Sequence, residues 1–315
     1  MPDRSHEPAS QNDHVAGVSL PAWLYGSKHT HRLIPARVAL ALAAVVGPAA
    51  RRRRNPAERR DGERFMADLL LHTPRGPEAH ELAERWLIEK SRVGELLWRP
   101  WLLKHSRIFG REHWDAAHRP GRGLLLVMGH FGPDWATSAI LCKYGLDHYV
   151  IVHPHYWAPI PGYEGLMKRH RRREYFEKSL GAERALLSDG PPERPLELLR
   201  AGETIVIAFD VPGSAATPFL GRSVALAGGV ATLPLKANAM VLPAVPERHG
   251  TRSHLRLLPP IDPADYRDPR SLRAAIAQTF EPVVLNRPDA VQLAFVPSPL
   301  VTEAPLSGVT VGGRS

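Results

Sequence analysis

The sequence predicts an α/β protein in which a single sheet is flanked by helices, with an apolar, amphipathic helix at its amino-terminal end. Three observations predict it. From about residue 122 onward, short apolar runs alternate with stretches of helical character, the pattern of a layered α/β structure. Gly123-Leu-Leu-Leu-Val-Met128 is apolar without interruption, as a strand covered on both faces must be. Ahead of this region, Leu20 to Arg54 carries the apolar run Val38 to Ala50, closed by Arg51 to Arg54.

The chain has 315 residues, 43% hydrophobic and 23% charged, enough to bury a large core without covalent staples. Cys142 is its one cysteine, which fits a reducing compartment and excludes a disulfide scaffold. The net charge is +9, and arginine supplies 34 of the 41 basic residues. Such a surface suits nucleic acid, anionic lipid or an acidic carrier protein, so charge alone does not select a partner.

Taken in order, residues 1–16 are polar and aperiodic and read as a disordered leader. Residues 17–301 form the folded domain, and 302–315 a loose tail. Within the domain, about 20–54 combines Trp23, Tyr25, Leu33 and Ile34 with a run of 13 apolar residues and four arginines. That run is shorter than the roughly 20 residues a bilayer span requires. Aromatic residues at one end and arginines at the other suit shallow burial at an anionic membrane surface; a core helix followed by a basic turn is the other reading. Glu78 to Ser106 has helical spacing, with Pro100 set to bend or break it. Strands are expected at 123–128, Tyr149 to Val152, Thr204 to Phe209, Met240 to Val245 and Leu255 to Leu258. Helices are expected at Pro133 to Tyr144, Tyr163 to Leu180 and Gly229 to Ala239. The run Lys168 to Arg173 is either a solvated face or a docking surface for headgroups or an acidic carrier.

The segment Val127-Met-Gly-His130-Phe-Gly-Pro-Asp134-Trp135 is the most informative. It puts a histidine between a buried strand and a helix, at the carboxyl end of the strand, where open α/β sheets place their ligands. Gly129 and Gly132 would let a substrate approach the backbone closely. An imidazole, with an ordinary pKa of about 6.5, can take the proton of an attacking hydroxyl, and such general-base help is typically worth about 10²–10⁴-fold. A carboxylate on the other ring nitrogen would fix the tautomer and stabilise the imidazolium, as in the His–Asp half of a serine triad. Cys142 lies among apolar neighbours, and no serine or cysteine nucleophile is evident. His153-Pro-His155 lacks a third ligand, so no metal is expected.

His130-Phe-Gly-Pro-Asp-Trp resembles the active-site block of the bacterial lipid A lauroyl/myristoyl acyltransferases and of the related acyltransferases of phosphatidylinositol mannosides, within the lysophospholipid acyltransferase superfamily. Leu199 to Asp210, Pro212-Gly213 with Thr217-Pro-Phe-Leu-Gly-Arg222, and Gly229 to Pro243 are similar to further blocks of that family in the same order. Gly121-Arg-Gly123 and the apolar amino-terminal helix are similar to its usual opening. The resemblance implies a glycerolphosphate acyltransferase-like fold and an enzyme that moves a fatty acyl group from acyl-CoA or acyl-carrier protein to a hydroxyl of a membrane glycolipid. It implies no cofactor beyond that co-substrate, and a place at the cytoplasmic face of the plasma membrane.

One departure concerns the base. The family sets four residues between the histidine and its acidic partner; here Asp134 follows after three, and Trp135 holds the usual acidic position. Asp134 is the first expectation for the partner and Asp210, at the end of another strand, the second. The same displacement leaves a catalytically silent lipid binder as the alternative reading. The resemblance places Arg222 near the donor or acceptor path, where its forked guanidinium suits a phosphate, and lets Thr217 and Gly221 shape that loop. A nucleic-acid partner is not expected, because no stacking aromatics or recognised motif accompany the basic runs.

Overall fold

The computed structural model describes residues 28–54, 56–153 and 180–292. The leader, the tail, Trp23, Tyr25, His155, the basic run 168–173 and all of the expected helix 163–180 but its last residue lie outside the described residues.

Three helices open the described chain: α1 (Lys28–Leu33), α2 (Ala36–Arg54) and α3 (Pro56–Leu70). A fourth, α4 (Ala79–Leu96), follows a short turn. The helix expected to reach Ser106 ends ten residues earlier. A 3-10 turn, Pro100–His105, replaces its last part, because Pro100 cannot donate to the preceding turn. Arg99, 2% exposed, locks the amino-terminal elbow to α4. It donates to Glu95 Oε1 (3.0 and 3.1 Å) and to the carbonyls of His31 (2.5 Å) and Ile34 (2.9 Å), while His31 stacks on Trp98 at 5.2 Å. One face of α2 is therefore core, with Ala39 and Leu40 buried. The other leaves Val38, Leu42, Val45 and Val46 exposed. No helix among the described residues is long and apolar enough to cross a membrane.

The sheet is built from β1 (Ile108–Phe109), β2 (Leu124–Met128), β3 (Tyr149–Val152), β4 (Ala185–Leu187), β5 (Thr204–Ala208), β8 (Met240–His249) and β9 (Arg252–Leu257). A separate hairpin, β6 (Pro212–Phe219) with β7 (Arg222–Leu226), follows β5. The order β1-β9-β8-β2-β5-β3-β4 places β2 at the centre, and every pair is parallel except β8 with β9. All five residues of β2 are buried. Leu125 and Val127 enter the core on one face, and Leu124, Leu126 and Met128 the core on the other. An uninterrupted apolar run is what such two-sided burial requires. Among the described residues, helices α5 (Arg111–Ala117), α6 (Thr137–Lys143), α7 (Glu193–Arg200), α8 (Gly229–Ala237) and α9 (Pro269–Asn286) accompany the sheet.

Several elements differ from the sequence expectation. The helix expected at 133–144 begins as a 3-10 turn, Asp134–Ala136, and only then becomes α6. Strand β8 runs four residues beyond Val245, because its polar end pairs with β9 instead of closing the core. The β6–β7 hairpin and α9 were not expected. The latter is capped by Asp268, whose Oδ1 accepts from the Ser271 N–H at 2.8 Å, with Pro269 in the first turn.

His148 is fully buried between α6 and β3, with Nδ1 2.9 Å from the Leu146 carbonyl. Burial pushes its pKa down to about 4. The unfolded chain, with an ordinary imidazole near 6.5, then takes the proton first. The stability tied to this ring is complete above about pH 6.5 and is lost as pH falls towards about 4. Urea unfolding should show a loss of roughly 2 kcal/mol from this group by about pH 5, and His148→Leu should flatten that slope. An unchanged slope in the variant would assign the acid sensitivity elsewhere.

Candidate active site

Parallel pairing of β2 with β5 aligns Met128 with Ala208. Two residues further along each strand stand His130 and Asp210, so residues 80 apart in sequence emerge side by side at the carboxyl ends of neighbouring strands. Asp210 is fully buried, and both of its oxygens serve the same residue. Oδ2 accepts from the His130 backbone N–H at 2.7 Å, and Oδ1 lies 2.7 Å from Nδ1 of the ring. A carboxylate can only accept here, so Nδ1 carries the proton and the neutral ring presents Nε2 as its basic nitrogen. The imidazole side chain is 17% exposed, partly open to solvent while its partner is sealed.

The loop bearing His130 is clamped from below and from the side. A Cβ at Gly129 would lie 2.3 Å from the ring of Phe131 and 2.8 Å from that of Phe209, so only glycine fits above these rings. Phe209 stacks on Phe280 at 4.2 Å and meets Phe219 edge-on at 5.8 Å. On the side, Gln292 N–H donates to the His130 carbonyl at 2.6 Å and Gly132 N–H to that of Ala290 at 2.7 Å, while Phe131 bridges Val291. Trp86 on α4 donates to the Val291 carbonyl at 2.6 Å and so holds the clamp. Beside Gly132 runs β8, whose Arg248 forms a two-pronged ion pair with Glu89, a buried carboxylate of α4.

The model of the bacterial lipid A biosynthesis acyltransferase family matches residues 80–291, about two thirds of the chain, and encloses every residue of this site except Gln292. The chain belongs to that family. It is therefore an acyltransferase that acts on lipids. Among solved structures, the chain is similar to the 1-acyl-sn-glycerophosphate (LPA) acyltransferase PlsC from Thermotoga maritima. That similarity has 15% identity and a TM-score of 0.38, covering 64% of this chain and 80% of that one. No curated protein matches.

The acyltransferase's remaining predicted residues fall in different places. Asp134, first choice for the ring's partner, is buried in the 3-10 turn after the loop, while the carboxylate on Nδ1 is Asp210's. The order of the two candidates is thus reversed, because strand register and not sequence proximity decides which carboxylate meets the ring. Thr217 is fully buried. Its hydroxyl donates to the Ala215 carbonyl at 3.0 Å and accepts from Arg273 Nε at 2.8 Å, so it fastens β6 to α9 and holds the loop it was expected to shape. Gly221 forms the β6–β7 turn with Leu220; both have positive φ, the geometry of a type I′ hairpin. Leu220 tolerates it with its N–H donating to Glu281 at 2.7 Å. Arg222 stands at the tip of that hairpin, opposite Phe219 and half-buried. Burial lowers its pKa, Asp68 opposes the shift, and it makes no hydrogen bond or ion pair among the described residues.

The sequence reasoning missed Glu89, Arg248, Arg273 and Glu281, each a charged group whose partner is distant in the chain. No group of three His, Cys, Asp or Glu residues suited to a metal occurs among the described residues. The Gly129→Ala variant should lose about 1–3 kcal/mol in chemical denaturation, since its methyl collides with two packed rings. A variant as stable as the parent would show that the loop is not held against the phenylalanines.

Proposed function

We propose that this acyltransferase moves a fatty acyl group from a thioester, acyl-CoA or acyl-carrier protein, to a hydroxyl of a membrane glycolipid, lipid A-like or phosphatidylinositol mannoside-like. The contact between His130 Nδ1 and Asp210 carries the reading. His130 Nε2 takes the proton of the acceptor hydroxyl as its oxygen attacks the thioester carbonyl. The tetrahedral intermediate then collapses, the C–S bond breaks, and the imidazolium returns the proton to the departing thiolate. Asp210 holds the tautomer and offsets the charge of the imidazolium, as the aspartate of a serine triad does.

Transfer is direct, within one complex of donor and acceptor, without an acyl-enzyme. Cys142 is half-buried and its thiol is pushed up by burial, away from the thiolate a nucleophile needs. Arg222 supports recognition of a phosphate on donor or acceptor, being a partly buried guanidinium that makes no hydrogen bond or ion pair among the described residues. The exposed apolar stripe of α2 supports a peripheral seat on the cytoplasmic face of the plasma membrane, with an anionic surface as partner. The silent-binder reading rested on a displaced carboxylate, and Asp210 beside the ring removes its motive.

Transfer of labelled acyl chains from acyl-CoA or acyl-carrier protein to a glycolipid mixture tests this. His130→Ala should give no product above background. Asp210→Asn should lower kcat on the order of 10³–10⁴-fold. Asp134→Asn should lower it less than about tenfold, a limit set by the modest worth of a single polar group off the reacting atoms. Full activity in His130→Ala, or a trapped acyl-enzyme, would refute the mechanism.

A further inference from the structure

A cavity of about 440 Å³ opens between the first turn of α2 and the β8–β9 turn, lined by Arg37, His249, Gly250, Thr251, Arg252 and His254. Cross-strand pairing sets His249 opposite Arg252 and Glu247 opposite His254. The one carboxylate among these four, Glu247, is already engaged by Arg256 at 2.8 and 3.1 Å and by His249 Nε2 at 3.0 Å. His254 Nδ1 accepts from the Arg107 N–H at 2.9 Å, which leaves Nε2 as the protonated, donating nitrogen of a neutral ring. Arg37 and Arg252 make no hydrogen bond or ion pair among the described residues. Two guanidinium groups without an ion-pair partner among the described residues and the Nε2–H of His254 around one cavity form a donor set for phosphate oxygens; the His249 N–H is already taken by Glu247.

The location of the cavity narrows the source of that phosphate. Arg37 immediately precedes Val38 on α2, and Leu33, Ile34, Val38, Leu42, Val45 and Val46 are all exposed. Val38, Leu42 and Val45 recur at helical spacing, so the cationic cavity borders the start of an apolar stripe. A helix lying in a bilayer interface meets this same sequence of environments, phosphates just outside the hydrocarbon. We propose that the cavity binds the phosphate of an anionic phospholipid headgroup while α2 lies on the bilayer, at a lipid site separate from His130. The proposal rests on the membrane reading of α2 given above. Because Pro246 to Arg248, which directly precede the cavity's His249 and Gly250, back Gly132, engagement at the β8–β9 turn would hold the His130 opening in a fixed relation to the lipid surface.

The full chain can be tested by sedimentation with vesicles of phosphatidylcholine alone and of phosphatidylcholine mixed with phosphatidic acid. The wild type should bind the mixed vesicles about tenfold more tightly, the worth of one or two charge-assisted contacts. R37Q/R252Q should lose most of that gain. R267Q/R270Q, which removes the same charge from exposed positions on another element, should keep it. L42D/V45D should abolish binding to both vesicles. Failure of the wild type to bind either vesicle would overturn the membrane reading and the site together. Vesicle binding with an undiminished gain in R37Q/R252Q, or an equal loss in R267Q/R270Q, would overturn the site alone. A rise in Tm with inorganic phosphate that needs Arg37 and Arg252, without any vesicle preference, would assign the cavity to free phosphate and also count against the proposal.

Discussion

A buried carboxylate is costly unless each oxygen finds a donor, and Asp210 finds both of its donors on His130. Backbone N–H and ring nitrogen are thereby fixed by one group, so the orientation of the imidazole is coupled to the path of the loop that carries it. The arrangement needs β2 and β5 to be adjacent, parallel and in the register that aligns Met128 with Ala208. It also needs the loop to stay down on the phenylalanine cluster, which the clamp at residues 290–292 and the absence of a Cβ at Gly129 ensure. If any of these supports shifts, the same two side chains no longer form a base.

Much of this was legible in the sequence. The continuous apolar run of β2 signalled a strand covered on both faces, and the histidine just beyond it marked the functional end of the sheet. Asp210 could be seen at the end of another strand. What one chain could not give was register. Asp134 is close in sequence and Asp210 is 80 residues away, yet parallel pairing makes the distant residue the neighbour. The β6–β7 hairpin was hidden by Pro212, Pro218 and two glycines, residues that ordinarily argue against strands. Helix α9 did carry readable signals, Asp268 before Pro269, but Pro282 inside it obscured the helical pattern. Thr217 was legible as a residue that shapes the loop, but not its means: the buried hydroxyl anchors the hairpin to Arg273, 56 residues away.

The amino-terminal helix shows how one segment can satisfy two readings. Its Ala39 and Leu40 belong to the core, and Arg99 and His31 tie its approach to α4. Its opposite face holds four exposed aliphatic side chains that no described residue covers. A lipid surface would remove that apolar area from water at no cost in internal packing. The cationic cavity at the start of the stripe gives such a surface a polar counterpart. On this account the sheet supplies the chemistry, and the helix and the β8–β9 turn supply the orientation towards lipid.

The claim on which the account turns is that Asp210 fixes the proton on Nδ1 of His130 and leaves Nε2 basic. Nitrogen-15 NMR of the histidine-labelled protein measures this directly. The account predicts a protonated Nδ1 and an unprotonated Nε2 for His130 in the neutral ring, and loss of that single tautomer in Asp210→Asn. A proton found on Nε2, or a tautomer indifferent to Asp210, would contradict it.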